Sequence, residues 1–332
     1  MLRGIFFTLF RIANADYFLR QKTPNQLYIL IFHQVNDSGF TFYPALPNHA
    51  FEQICKFFSE RFNVIYFSEV ADYFKKTRKP GVIMTFDDGH YDILENAYPV
   101  LKKYKLKFNI NIATESLETG LPQDSVRVYN VLNTTEKNEY INTELFSEPI
   151  KISIDKKLPT KTEAKFFKLF KKIDKKQQRM LADDIVEKLA SKTTKFSRML
   201  SRDDVVYLSK NGAEIGSHTH SHPLLPNIDT ASLEFELSHS KKVLENLCGK
   251  GIDIIAYPRG MYNETVIQKS FELGYKYILL TENRHNVIND PEKESSLFYR
   301  VGLYHKTPDE SLAKVFGFHR TVHGLKNRLR RG

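Results

Sequence analysis

The chain has 332 residues, 41% hydrophobic and 27% charged, with 15 Gly, 13 Pro and 2 Cys. That is enough apolar material for one large cored domain or two modest ones, and it excludes a collagen-like repeat, a disulfide scaffold and wholesale disorder. The net charge of +10 is concentrated: residues 151–200 carry 15 basic against 6 acidic side chains, and residues 317–332 add 5 basic side chains and no acidic one.

Taken in chain order, the N-terminus places Leu2, Ile5, Phe6, Leu9, Phe10 and Ile12 on one helical face flanked by Arg3 and Arg11. Such a face lies on a membrane surface or docks on the body of the protein. Its uninterrupted apolar stretch, residues 4–10, ends at Arg11 and is short for a signal peptide. The expected location is therefore cytoplasmic, peripheral on the inner face of the membrane, with export as the alternative. No apolar run approaches the ~20 residues that span a bilayer.

Residues 27–32 (LYILIF) read as a buried strand, and residues 50–59 as a helix with Phe51, Ile54, Phe57 and Phe58 on one face. A short strand is expected over 64–67 and a helix from 68. Residues 81–86 (GVIMTF) form the clearest buried strand and run into Asp87-Asp88-Gly89. A helix over 92–104, kinked by Pro99, and an alternating strand over 107–113 follow. After residue 200 the same rhythm returns: strands over 213–215, 252–256 and 275–280, helices over 232–247 and 264–273. Repeated β–α–β units predict a parallel sheet with helices outside it, open or closed as a barrel.

Residues 118–200 interrupt that rhythm with a Lys-rich stretch lacking an obvious buried strand. Thr160-Lys-Thr-Glu163 is a capping-box pattern leading into Phe166, Phe167, Phe170 and Ile173, and a second helix is expected over 177–189. The segment reads as a helical insertion that covers the barrel or contacts lipid. Cys55 and Cys248 form no metal or redox motif and read as buried structural thiols.

Three short segments carry chemistry. Asp87-Asp88 ends a buried strand, the edge at which α/β folds build sites. One carboxylate there can bind a cation while its neighbour stays free as a base; the alternative is an Asx turn with a helix cap. In Ser217-His218-Thr219-His220-Ser221-His222-Pro223, one turn of helix-like backbone would place His218 and His222 on the same side. With Asp88 they would make three ligands and leave one open position, the arrangement of a catalytic zinc site. His220 points away from that pair and reads as structural. In Tyr257-Pro258-Arg259-Gly260 a rigid Pro and a permissive Gly bracket a backbone N–H that could face a cleft.

Together, Thr85-Phe86-Asp87-Asp88-Gly89, His218-Thr-His-Ser-His222 and Ala256-Tyr-Pro-Arg-Gly260 resemble the polysaccharide deacetylases of the NodB-like family, which are carbohydrate esterases. The resemblance covers about residues 27–316 apart from the 118–200 insertion. It leaves 1–26 as an amphipathic segment and 317–332 as a basic tail. It implies an α/β fold, a distorted (β/α) barrel with a helical insertion, and metal-dependent removal of an acetyl group from a sugar. By that resemblance Asp87 is the general base, Asp88, His218 and His222 hold a divalent metal, and the Arg259 N–H stabilises the oxyanion. Two departures stand out. Many members have Arg where this chain has Ala256, and a late Leu-x-His supplying the catalytic acid is missing. Phe32-His33-Gln34-Val35 resembles the early Tyr-His-x-Val of the poly-N-acetylglucosamine deacetylase branch, which makes His33 the candidate acid; the alternative is a histidine capping the strand end. His285 and His305 are weaker substitutes. Tyr257 and Arg300 are further candidates, Arg300 as a group orienting a site carboxylate.

The expected cofactor is zinc, with cobalt or nickel suited to the same donors. The expected substrate is an N-acetylated glycan or its lipid-linked precursor, with an anionic membrane surface as a further partner of the basic segment and N-terminal helix. The competing readings are a catalytically inactive glycan-binding barrel and a C–N hydrolase of a small cyclic amide. Nucleic acid is not expected, because the phenylalanines of the basic segment fall at helical core spacing rather than as a stacking platform.

Overall fold

The computed structural model describes residues 24–135, 140–143, 150–153, 159–293, 296–304 and 307–316. The N-terminal amphipathic segment, His305 and the basic tail lie outside the described residues. The first half of the chain runs β1 (Gln26–Phe32), α1 (Asn48–Arg61), β2 (Asn63–Val64), α2 (Val70–Lys76), β3 (Gly81–Phe86), α3 (Tyr98–Lys103) and β4 (Phe108–Ile112). The middle contains α4 (Glu115–Thr119), α5 (Asp124–Thr134), a hairpin of β5 (Tyr140–Thr143) and β6 (Ile150–Ser153), α6 (Pro159–Phe170) and α7 (Lys175–Leu189). The last part runs α8 (Arg202–Lys210), β7 (Ala213–Ser217), α9 (Thr230–Cys248), β8 (Ile254–Ala256), α10 (Glu264–Glu272), β9 (Tyr277–Leu280), β10 (Asn286–Val287), β11 (Ser296–Tyr299), β12 (Val301–Gly302) and α11 (Pro308–Val315).

The main sheet has the order β10-β1-β3-β4-β7-β8-β9-β11. All its neighbours from β1 to β11 are parallel, and only β10 joins antiparallel. The chain then passes from β11, paired with β9, straight into β12, which pairs in parallel with β1. Those few residues join the two ends of the parallel run and nearly close it into a barrel. Arg300 is the residue between β11 and β12.

Strand alternation sorts the apolar side chains into two groups. Leu27, Ile29, Ile83, Ile254, Ala256, Leu279 and Phe298 form one cluster, the barrel interior. Their neighbours Tyr28, Leu30, Phe32, Val82, Met84, Phe86, Ile255, Ile278 and Leu280 pack outward with helix residues such as Phe51, Phe58, Leu237 and Leu244. Strands covered on both faces read as continuous apolar runs, which is why β1 and β3 are legible in the sequence. β4 alternates for another reason: Asn109 and Asn111 are as fully buried as its apolar residues. They face the barrel interior and not solvent.

Several local expectations change. The 64–67 strand stops at Val64, because Tyr66 begins a turn in which the Glu69 carboxylate accepts its N–H (2.9 Å). The 92–104 helix splits into a π-helical turn (Ile93–Ala97) and α3, the change falling just before Pro99. α6 begins at Pro159, so Thr160 lies inside it and is not its cap. Capping boxes occur instead at Asp174/Gln177 before α7 and at Ser201/Asp204 before α8. α5, α8 and the β5–β6 hairpin were not expected. Cys55 is fully buried as predicted, whereas Cys248 is half-buried; both are free thiols.

The helices α5, α6 and α7 have an apolar core of their own, with Val128, Tyr129, Leu132, Phe166, Phe170, Leu181 and Ile185. Phe42, from the loop after β1, completes it.

Candidate active site

Asp87 and Asp88 leave the end of β3, where interior positions change from apolar to polar. The Asp87 N–H donates to the Phe32 carbonyl of β1 (3.0 Å), which extends the ladder by one residue. Asp88 then turns into the left-handed region (φ 75°), followed by Gly89 (φ 82°). That reversal aims the two carboxylates differently. Tyr43, Thr219, His222 and Arg259 also have positive φ. With Asp88 they make five of the seven non-glycine residues in that conformation among the described residues, and all belong to the segments that converge here. Strain gathered in one place marks a functional site.

Asp88 Oδ1 lies 3.4 Å from His218 Nε2 and 3.6 Å from His222 Nε2. Ligands on a tetrahedral zinc stand about 3.4 Å apart, given bonds near 2.1 Å. Oδ1 is buried and takes no hydrogen bond. His218 donates its Nδ1–H to the Ala256 carbonyl (2.7 Å), leaving its Nε2 lone pair facing the cluster. An orphaned carboxylate oxygen and two imidazole nitrogens aimed at one point fit a divalent cation. The imidazoles do not share a helical turn, as spacing alone had suggested. The 218–222 segment is irregular, and the left-handed Thr219 and His222 bring the rings within 4.9 Å.

The loop is held from both sides. His218 N–H donates to the Ile112 carbonyl of β4 (2.8 Å). On α9 the buried Glu236 accepts the N–H groups of His220 (2.9 Å) and Ser221 (2.8 Å) and the Ser221 hydroxyl (2.5 Å). His220 itself turns away from the cluster, as predicted, with Nδ1 at 3.0 Å from Thr114 Oγ1.

The other oxygen of Asp88 accepts a very short hydrogen bond from the Tyr43 hydroxyl and lies 3.6 Å from His90 Nε2. Gln34 Nε2 donates to His90 Nδ1 (3.2 Å), which fixes the His90 proton on the nitrogen facing Asp88. Burial alone would raise the Asp88 carboxyl, but the close His218 and His90 hold it well below the usual carboxylate range. Burial above all pushes His222 down to about 3, so it stays neutral and able to ligate.

Asp87 is engaged differently. Arg300 donates Nη1 to Oδ1 and Nη2 to Oδ2, both at 2.8 Å, and a further bond to Thr85 Oγ1 (3.1 Å). Asn111 of β4 adds a donor to Oδ1 (2.8 Å). A Cβ on Gly216, next to it on β7, would collide with Asn111 Oδ1. Burial works to raise the Asp87 carboxyl, yet the Arg300 charge outweighs it and sets it at about 2. Arg300, itself fully buried, thus holds the carboxylate in the face of Ala256, where no guanidinium is available from β8.

His33 sits at the end of β1, edge-on to Tyr43 (ring centroids 5.7 Å) and tilted to Tyr304 (6.4 Å). Burial lowers its pKa, while the charges of Asp88 and Asp87 oppose the shift. The Arg259 guanidinium lies over the Phe167 ring of α6 (4.7 Å). A cleft lined by Arg259, His222, Gln123, Asp124 and Lys175 reaches the cluster from that side. Tyr257 does not join the site: its hydroxyl is turned into the core, 2.8 Å from Ser270 Oγ of α10. The reason is strand alternation, which sends it opposite to Ala256. His285 is likewise elsewhere, bonded to Gln26 and Val315 at the other end of β1. Sequence reasoning missed Tyr43, His90, Asn111 and Glu236. His90 alone carried a signal, as the residue following Asp-Asp-Gly.

The cluster Asp88, His218 and His222 is one of two groups among the described residues able to hold a metal ion. A polysaccharide deacetylase family profile matches residues 157–278, which include His218, His222 and Arg259 but neither Asp87–Asp88 nor Arg300. YxkH of Bacillus subtilis (strain 168), described as a polysaccharide deacetylase, is 22% identical over 268 residues, 80% of this chain and 67% of the relative. The Streptococcus pyogenes deacetylase PplD, solved in complex with acetate, superposes with a TM-score of 0.59 at 19% identity, covering 89% of this chain and 99% of that one. A de-N-acetylase from Aggregatibacter actinomycetemcomitans gives 0.53 at 15% identity, covering 86% and 96%. These structural likenesses establish the fold as a deacetylase-type (β/α) barrel.

Proposed function

We propose, from the premise that the chain belongs to the polysaccharide deacetylase family and is a hydrolase of carbon–nitrogen bonds, that it removes the acetyl group from an N-acetylated sugar of a polysaccharide or lipid-linked glycan. The observation that carries this reading is the orphaned Asp88 Oδ1 facing two imidazole nitrogens, beside a second carboxylate held by its own arginine. Asp88, His218 and His222 would hold a zinc-class divalent cation, which polarises an acyl carbonyl and acidifies water.

The remaining roles fall to the chain's own side chains. Asp87, ionised throughout the neutral range and fixed by Arg300 and Asn111, accepts the proton of the attacking water. The Arg259 N–H stabilises the developing oxyanion. The proton that Asp87 takes from the water passes through His33 to the departing sugar nitrogen as the C–N bond breaks, so amide and water become amine and acetic acid. Asp88, positioned by Tyr43 and His90, stays a carboxylate throughout.

The test is acetate release from a panel of N-acetylated oligosaccharides with zinc, and again with chelator. Zinc-dependent release abolished by chelator is expected. Stoichiometric zinc with no release from any acetylated glycan would overturn the reading in favour of a binding-only barrel. A second reading, hydrolysis of a small cyclic amide, draws support from the near-complete burial of the cluster: Asp88 is 4% and His218 1% exposed. Cyclic amides therefore belong in the same panel. The basic 151–200 segment and tail support a position beside an anionic membrane or glycan, on the cytoplasmic side. Among the described residues no helix is long and apolar enough to cross a membrane. Co-sedimentation with anionic vesicles, lost in a chain without residues 1–26 and 317–332, tests that position.

A further inference from the structure

The geometry points to a second metal site, built by Glu118 of α4, His220 of the histidine loop and His239 of α9 and suited to a zinc-class divalent cation. One ligand atom from each of the three residues lies within 4.8 Å of the other two. His239 Nε2 is 3.8 Å from Glu118 Oε1, and the His220 and His239 ring centroids are 4.7 Å apart. Tetrahedral zinc ligands stand about 3.4 Å apart, so small side-chain rotations complete the set. Glu118 and His239 have room for them, with side chains 42% and 36% exposed.

His220 is the fixed member. Its N–H donates to Glu236 and its carbonyl accepts the Glu115 N–H, both at 2.9 Å. Its Nδ1 is taken by the fully buried Thr114 hydroxyl (3.0 Å). That leaves Nε2 as its ligating atom, the same outer hydrogen-bond arrangement that orients His218. Phe235, one turn before His239 on α9, stacks on the His239 ring (4.8 Å, 16°) and meets His220 at 5.4 Å and 85°. It is 51% exposed, a large aromatic left at the surface, and here it screens one side of the imidazole pair. A bare Glu118–His239 ion pair at this exposure would contribute little. A third ligand, the His220 nitrogen, directed at the same point makes two imidazoles and one carboxylate in all, a donor set for zinc, cobalt or nickel.

A cation here would tie α4 and α9 to the loop that carries His218 and His222. It would therefore brace the first centre without touching substrate. The site is independent of the deacetylase reading.

The experiment uses the full chain loaded with zinc alone, counting bound zinc after desalting and following the thermal midpoint. Two zinc ions per wild-type chain are expected, and one in each of Asp88→Asn, His239→Gln and Glu118→Gln. In the Asp88→Asn background, zinc should still raise the midpoint, and that rise should vanish on adding His239→Gln. Wild-type zinc content in both His239→Gln and Glu118→Gln would overturn the second site. So would a single zinc lost with Asp88→Asn, an outcome that leaves the deacetylase reading standing. Loss of zinc with His239→Gln but none with Asp88→Asn supports the second site and overturns the first.

Discussion

Arg300 lies at the seam where β11 hands over to β12, with its guanidinium spent on both oxygens of Asp87. Removing one partner of a buried pair leaves the other charged without compensation, at a cost of about 3–5 kcal/mol. Arg300→Met should therefore destabilise the fold by roughly that amount and lower kcat about 100-fold, as measured by urea unfolding and acetate release. Asp87→Asn should abolish turnover while zinc content is unchanged; retained turnover would remove Asp87 from the role of base. Tyr257→Phe is the control, expected to keep kcat and lose about 1 kcal/mol with its hydroxyl bond. The pH dependence follows from the depressed Asp87 carboxyl. Its contribution to stability is fully present above the ordinary carboxyl value of 3.8 and is lost as pH falls through about 2. The wild-type advantage over Asp87→Asn in urea midpoint should shrink across that interval and stay constant above it. Asp87, Asp88, His218 and His222 were legible because motif residues at strand ends are local in sequence. Arg300 was legible only as a candidate, since nothing in its neighbourhood says that it reaches a residue 213 positions away.

At the scale of elements, α9 does more than cover the barrel. Glu236 accepts three donors from the histidine loop, so the helix sets the backbone that presents His218 and His222. A glutamine keeps one acceptor oxygen and brings an N–H₂ that the loop N–H groups cannot satisfy. Glu236→Gln should cost about 2–3 kcal/mol and weaken zinc binding about 10–100-fold, read by thermal midpoint and by competition with a chromophoric chelator. Elements with a one-sided apolar stripe or a fully apolar run were legible, α1 and β3 among them. α5 was not, because Asp124, Val126, Arg127, Val128, Tyr129, Asn130, Val131 and Leu132 are all buried. A helix enclosed on nearly every side has no stripe for periodicity to find. The alternation of β4 was legible, but not that its asparagines face the barrel interior, where Asn111 reaches Asp87 and Asn109 the Glu214 carbonyl.

For the molecule as a whole, a barrel and a small helical body meet at Phe42 and Tyr43. Phe42 enters the helical core, and Tyr43 stacks near Tyr129 (6.3 Å) while its hydroxyl reaches Asp88. Phe166→Ala should open a cavity in that core at about 3–5 kcal/mol. Amide exchange should then rise through α5, α6 and α7 while β1, β3 and β4 remain protected; uniform loss of protection would show one cooperative body instead. The sequence by itself determined the α/β class, the repeated β–α–β units on either side of the insertion, and the grouping of Asp87, Asp88, His218 and His222 as one candidate site. Those properties are written in short windows, in the period of the apolar pattern and in motifs at strand ends. Tertiary structure alone decided that Arg300 reaches Asp87, that Tyr43 and His90 hold Asp88, and that Tyr257 faces the core. Closure of the sheet brings together residues hundreds of positions apart, and strand alternation decides which of two neighbours looks inward.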